Sequence, residues 1–177
     1  INSGFLEGNK GVHLKNRKIK LNFLTEKDER AILIGKNNNI KNFALSFTNT
    51  VADIKNFNKI LKKENKIYKL ETSRAVKDLK KILNEGNQFL IDRGDLSKEV
   101  EIEKIPYIQR EIIKNSKKFK KKKQIFIATN LLESMVNNIY PTRAEANDIF
   151  NCLELGASGL VLAAETAIGK YPIEAVT

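Results

Sequence analysis

Charged side chains recur in this sequence directly after short apolar segments, where they could act together. Lys69-Leu70-Glu71 follows one such segment, and its two-residue spacing on an extended chain sends the ammonium and the carboxylate to one side and Leu70 to the other. Asp92-Arg93-Gly94-Asp95 follows the next, then Thr129-Asn130, then Glu165-Thr166. If the segments are parallel strands, these residues converge at the end of the sheet where such folds place their sites. Two carboxylates suit Mg²⁺, which takes hard oxygen ligands and leaves positions for water and substrate oxygens. Glu71 and Asp95 would be the ligands, with Lys69 beside them to offset charge on a transferring phosphoryl group or an enolate. A structural ion pair of Lys69 with Glu71 or Asp95 fits the same spacing equally well.

The elements that must position these groups follow from hydrophobic periodicity. Strands are predicted at 43–47, 66–70, 88–91, 124–128 and 159–163, each rich in Ile, Val, Leu or Phe. Amphipathic helices are predicted at 51–62, 73–84, 101–118 and 142–155, the last with Ala146, Ile149, Phe150 and Leu153 on one stripe. A further helix is expected over 25–34, where Thr25 and Asp28 form a weak capping signal. Asp53, Thr72 and Thr142 stand at expected N-caps, and Gly86 and Gly156 at expected helix ends. Strands alternating with helices imply an α/β fold of right-handed, parallel βα units. Strand spacing alone does not separate an open doubly wound sheet from part of a (β/α)₈ barrel, which needs roughly 200 residues or more when closed. Residues 4–21 read as a small β-rich tail or linker, and His13 within it as a solvated surface residue.

Composition bounds the function classes. Of 177 residues, 41% are hydrophobic and 30% charged, which excludes collagen-like, disordered and disulfide-stapled chains. The lone Cys152 has no intrachain partner and is expected to act as a small buried hydrophobe. No apolar run approaches the roughly 18 residues of a membrane span and residues 1–10 lack a secretory pattern, so a cytoplasmic location is expected. A start at Ile1 and an end without a helix stop point to a piece of something longer. The net charge of +11 fits a nucleic-acid binder, but it also fits a Lys- and Asn-rich sequence bias, and no reader motif accompanies it. The densest lysine run, 117–123, reads as a solvated helix end. Met135 and Phe150 are expected in the core, and Glu133 with 143–145 as a structural pairing in the loop.

Several motifs then align in order with one family. Asp92-Arg93-Gly94-Asp95-Leu96, Ala128-Thr129-Asn130-Leu131-Leu132-Glu133-Ser134-Met135 and Pro141-Thr142-Arg143-Ala144-Glu145 resemble the Ala-Arg-Gly-Asp-Leu-Gly, Ala-Thr-Gln-Met-Leu-Glu-Ser-Met and Pro-Thr-Arg-Ala-Glu signatures of pyruvate kinase. Glu165-Thr166-Ala167, Gly169, Tyr171-Pro172 and Glu174-Ala175-Val176 are similar to its Ser-Gly-Glu-Thr-Ala-x-Gly-x-Tyr-Pro-x-Glu-Ala-Val segment. Lys69-Leu70-Glu71 resembles its Lys-Ile-Glu, Ser46-Phe47 its Ser-Phe, and Lys10-Gly11-Val12 its return from the lid domain.

The resemblance implies a partial TIM barrel made of strands four to eight, with residues 1–21 as the tail of the lid domain and 22–177 as barrel. It implies phosphoryl transfer between phosphoenolpyruvate and ADP, giving pyruvate and ATP, with Mg²⁺ or Mn²⁺ and K⁺ as cofactors and a homo-oligomeric parent protein. Glu71 and Asp95 would bind the divalent cation, Lys69 would stabilise transferring charge, and Glu165 would join the catalytic network. The amides around Arg93, Gly94 and Asp95 would hold the substrate carboxylate at a helix start, Thr129 would face the enolate, and Ser46 would lie near K⁺. The family's nucleotide contacts lie in the lid and early strands, so the isolated chain is expected to lack turnover. Asp92 for Ala, Ser97 for Gly, Asn130 for Gln, Asn49 for Arg and Ala163-Ala164 for Ser-Gly depart from the pattern. They leave open a relative acting on another 2-oxo acid or enolpyruvate, or a catalytically silent module.

Overall fold

Runs of β-branched and aromatic residues pair side by side into one sheet in the computed structural model, which describes residues 22–177. The expected tail at 4–21, with Lys10-Gly11-Val12 and His13, lies outside the described residues. The strands are β1 (Asn42–Leu45), β2 (Asn65–Leu70), β3 (Gln88–Asp92), β4 (Gln124–Ala128) and β5 (Gly159–Val161). Every neighbouring pair is parallel and the spatial order is β1-β2-β3-β4-β5. That order decides between the two architectures, because a doubly wound sheet reverses direction partway, whereas right-handed crossovers between successive neighbours keep all helices on one face. The sheet is an arc of a βα barrel.

Leu45, Tyr68, Leu70, Phe89, Ile91, Ile125 and Ile127 are buried beneath the helices, which fall in chain order between the strands. Helix α1 (Glu26–Asn37) precedes β1, α2 (Val51–Ile60) follows it, and α3 (Ser73–Lys77) and α4 (Leu79–Glu85) follow β2. One-turn α5 (Arg93–Leu96) and α6 (Ile105–Ser116) follow β3, α7 (Arg143–Glu154) follows β4, and the short α8 (Ala164–Ala167) and α9 (Pro172–Val176) follow β5. Phe57, Tyr68 and Phe89 pack in series, the first pair edge-on and the second tilted, at centroid distances of 6.3 and 5.7 Å, anchoring α2 to the middle of the sheet.

Local chemistry explains where the elements depart from the predicted ones. Thr50 is the N-cap of α2, and Asp53, the predicted cap, sits at its third position and closes a reciprocal capping box. The same box forms at Thr25 with Asp28 and at Thr142 with Glu145. The helix predicted over 73–84 breaks at Asp78, which ends α3 and starts α4. The one predicted over 101–118 opens as a 3₁₀ turn, Ile102–Lys104, and becomes α-helical only at Ile105, next to Pro106, whose missing N–H suits a first turn. Strand β1 stops at Leu45 because Phe47 turns the chain with φ of 49°. Gly156, with φ of 99°, follows the last turn of α7 as expected.

Helix α7 carries a correction to the predicted core. Phe150 and Leu153 are 61% and 50% exposed, while Cys152 is buried and Glu145, Asp148 and Ile149 are partly buried. The inward stripe is rotated from the apolar one because two of its positions carry carboxylates that bind neighbouring loops. Met135 is buried as expected. The lysine run is solvent-facing except at its end, where Lys123 is buried and donates to the Gly86 carbonyl at 2.7 Å, 5.0 Å above the Phe119 ring. Burial, aided by Lys121, lowers the Lys123 pKa. Among the described residues no helix is long and apolar enough to cross a membrane.

Cys152 receives the Gln109 amide at 3.3 Å, and burial, with Asp148 adding to it, pushes its thiol pKa up. Iodoacetamide is therefore expected to leave the native chain unlabelled over a period that fully labels it in denaturant. Labelling at similar rates would show that α7 opens readily from the sheet.

Candidate active site

Side chains alternate along a strand, so Lys69, Leu90 and Asp92 face away from the helices on the neighbouring strands β2 and β3. Glu71, one residue beyond β2, continues the parity of Lys69. The three charged groups meet at the C-terminal end of the sheet. Lys69 Nζ lies 2.5 Å from Glu71 Oε1 and 3.0 Å from Asp92 Oδ2. Glu71 is only 1% exposed, and the turn at Phe47 aims that residue's amide at Glu71 Oε2, 2.5 Å away. Oε1 is buried and faces the Lys69 ammonium.

Burial pushes the Glu71 carboxyl above its usual range against the pull of Lys69 and the Phe47 amide, and Asp92 adds to the rise. Burial alone would lower Lys69, but Glu71 and Asp92 outweigh it and hold the ammonium above its ordinary value. The two rises have different roots, loss of solvent for the Glu71 carboxylate and nearby carboxylates for the Lys69 ammonium.

Asp92 ends β3 and caps α5, accepting from the Asp95 amide at 3.4 Å. Thr129 Oγ1 receives the Gly94 amide at 2.8 Å and is within reach of Asp92 Oδ1 at 3.2 Å and the Ala128 carbonyl at 2.6 Å. A Cβ at position 94 would lie 3.3 Å from Thr129 Oγ1, so a larger residue there would push on that hydroxyl. Thr129 and Asn130 are both left-handed, with φ of 69° and 52°, an uncommon state for a β-branched residue. Arg93 holds that turn. Its Nε and Nη2 donate to the Thr129 carbonyl at 3.0 and 2.7 Å, Nη2 also to the Asn130 carbonyl at 2.7 Å, and Nη1 to Asp148 Oδ2 on α7 at 2.6 Å. Glu145, also on α7, receives the Ser134 amide and hydroxyl at 2.7 and 2.5 Å, fixing the far end of the same loop.

The architecture is that of a barrel with its charged residues at the strand ends, and comparison with known proteins supplies its kin. Residues 1–176 match the family model described as pyruvate kinase, barrel domain. The chain belongs to the pyruvate kinase family. It is 37% identical over 177 residues to a pyruvate kinase of Thermotoga maritima, covering 98% of this chain and 38% of that protein. A Mycoplasma genitalium pyruvate kinase is 38% identical over 172 residues, covering 94% and 34%. A Geobacillus stearothermophilus pyruvate kinase is 35% identical over 181, covering 99% and 30%. The chain thus spans about a third of the length of these relatives.

Against the sequence-derived site of this pyruvate kinase barrel segment, the structure brings together Lys69, Glu71, Asp95, Gly94 and Thr129 and adds Asp92. Ligand oxygens of Glu71, Asp92 and Asp95 lie within 4.8 Å of one another. That set of three carboxylates, one of them buried, fits a hard divalent cation. Asp95 is also paired with Lys98 at 2.5 Å.

Glu165, expected in the catalytic network, makes its own contacts with backbone amides. It is 2% exposed, and its oxygens accept from the backbone amides of Leu132 at 3.4 Å and Ala163 at 3.1 Å, clamping α8 to the loop after β4. Arg93 is likewise a clamp through its side chain, and the Gly94 and Asp95 amides already have partners in Thr129 and Asp92. Ser46 lies exposed in the turn after β1. Glu133 accepts from Asn130 at 2.6 Å, and Glu145 pairs with Ser134 and Thr142, which replaces the expected pairing of Glu133 with the 143–145 segment. Asp148 was legible only as a polar position on a helix, and Glu145 only through its motif and its place three residues after Thr142. Their tertiary partners lie eleven or more positions away, and no local signal names them.

Proposed function

We propose that this segment forms the metal- and enolate-binding half of a pyruvate kinase site, which in the whole protein moves a phosphoryl group between phosphoenolpyruvate and ADP in the cytoplasm. The observation that carries this reading is the meeting of Lys69, Glu71 and the Asp92–Asp95 turn at adjacent strand ends. Glu71 and Asp95 would hold Mg²⁺ or Mn²⁺, which when bound supplies positive charge to substrate oxygens. Lys69 places its ammonium where negative charge gathers as the enolpyruvate oxygen releases the phosphoryl group to the terminal phosphate oxygen of ADP; the enolate then takes up a proton to become pyruvate. Thr129 presents a hydroxyl beside the same space, held at its angle by Arg93. The K⁺ role of Ser46, the lid origin of residues 1–21 and the homo-oligomeric parent rest on the family resemblance.

Oxalate, a dianionic mimic of the enolate, tests this half-site directly. Oxalate is expected to bind the 177-residue chain only when Mn²⁺ is present, and Glu71→Gln or Asp95→Asn to weaken Mn²⁺ binding by at least about 10-fold. Metal-independent oxalate binding, or Mn²⁺ affinity untouched by both substitutions, would defeat the reading. The same chain is expected to show no turnover of phosphoenolpyruvate and ADP with Mg²⁺ and K⁺, because the family's nucleotide contacts lie in the lid and early strands; a steady-state assay checks this.

A further inference from the structure

Among the departures from the family pattern, Asp92, which stands where the family motif has alanine, lies within the charged cluster itself. We propose that Asp92 joins Glu71 and Asp95 in holding the divalent cation, and that the same carboxylate weakens the binding of an anionic substrate beside it. This rests on the metal- and enolate-site reading given above. Asp92 is 8% exposed and faces the same side of the sheet as Lys69. One of its oxygens is 3.0 Å from Lys69 Nζ, and the other is within reach of Thr129 Oγ1 and the Asp95 amide at 3.2 and 3.4 Å. Those three partners, an ammonium, a hydroxyl and a helix-start amide, are the groups that would otherwise receive an anion's oxygens.

A cation and an anion experience this carboxylate oppositely. Mg²⁺ sites commonly use one or two protein carboxylates, so a third within 4.8 Å of the other two adds attraction for a dication. The same charge repels a substrate carboxylate and competes for its donors. The outcome is a site selective for metal and restrictive toward dianions, admitting an anion only where its contacts with the bound metal outweigh Asp92.

The test titrates Mn²⁺ alone, followed by the electron paramagnetic resonance signal of the free ion, into the wild-type chain and into Asp92→Ala and Asp92→Asn. Asp92→Asn keeps an oxygen that can accept from Thr129 and from the Asp95 amide, so it guards against a folding failure of the alanine variant. Thermal melts confirm both folds. Both variants are expected to bind Mn²⁺ about 10-fold more weakly and, at saturating Mn²⁺, to bind oxalate more tightly than wild type. If both retain wild-type Mn²⁺ affinity while Glu71→Gln loses it, the role of Asp92 is overturned and the metal-site reading stands. Wild-type protein that takes up no Mn²⁺ overturns both. Weaker Mn²⁺ binding with unchanged or weaker oxalate binding overturns the anion half of the proposal.

Discussion

Replacing Arg93 by methionine is expected to lower the unfolding free energy by about 3–5 kcal/mol, a loss set by stranded acceptors and a broken ion pair. Methionine keeps much of the side-chain volume, so little of the effect would come from an empty cavity. What disappears is the guanidinium fork that joins two carbonyls of the left-handed Thr129-Asn130 turn to Asp148 on α7. Residues in such conformations persist only where surrounding contacts over-determine them. The turn should therefore relax, moving Thr129 Oγ1 away from Gly94 and Asp92. Urea denaturation reads the stability change, and a fall in melting temperature of roughly 10 °C is the corresponding thermal result for a chain of this size. Arg93→Lys should recover little, because one ammonium cannot span three acceptors in a fixed plane. Asp148→Asn should cost only about 1 kcal/mol, since that partner is more exposed and the amide oxygen still accepts. An Arg93→Met protein as stable as wild type would show that the loop holds its shape without the clamp.

Arg93 also shows which parts of the site a sequence displays and which it hides. The Lys69-Leu70-Glu71 spacing alone places two charges on one face, because strand parity is a covalent fact. The three capping boxes are equally local, although Asp53 proved to be the third helical residue and Thr50 the cap, a difference the helix start settles only once the chain is folded. The direction of the Arg93 side chain is another matter, for its acceptors lie between 36 and 55 residues away. The stripe on α7 fails for the same reason. Hydrophobicity points Phe150 inward, but Glu145 and Asp148 have specific partners at Ser134 and Arg93, and those bonds set the rotation of the helix. Glu165 lies in a motif shared with the family, yet its burial against two backbone amides is a tertiary fact. Asp92 was visible as a departure from the motif; its meeting with Glu71 needed the register of β2 against β3.

The second large effect concerns Lys69→Met. Spacing left open whether Lys69 belongs to a structural ion pair or to a cation-binding cluster, and this variant separates the two. Removing the ammonium leaves the buried Glu71 and its neighbour Asp92 without their shared counter-charge. The expected loss at neutral pH is about 2–3 kcal/mol, below that of a fully buried pair because the Lys69 side chain is 21% exposed. The loss should depend on pH in a definite direction. Burial already holds the folded Glu71 carboxyl high with Asp92 assisting, and without Lys69 it climbs further. A carboxyl whose folded pKa exceeds its unfolded one binds its proton more tightly in the native state. The contribution of Glu71 to stability is then greatest at low pH and falls as pH rises from about 4.3, the unfolded glutamate value, through the folded pKa. Added Mn²⁺ should restore much of the loss, since a ligand at 100 times its dissociation constant stabilises the native state by about 2.7 kcal/mol. If the carboxylates form a cation site, the dication can stand in for the missing ammonium and should bind Lys69→Met more tightly than wild type. A purely structural pair predicts a loss that Mn²⁺ leaves unchanged, and melts of both proteins across pH with and without the ion tell the two apart.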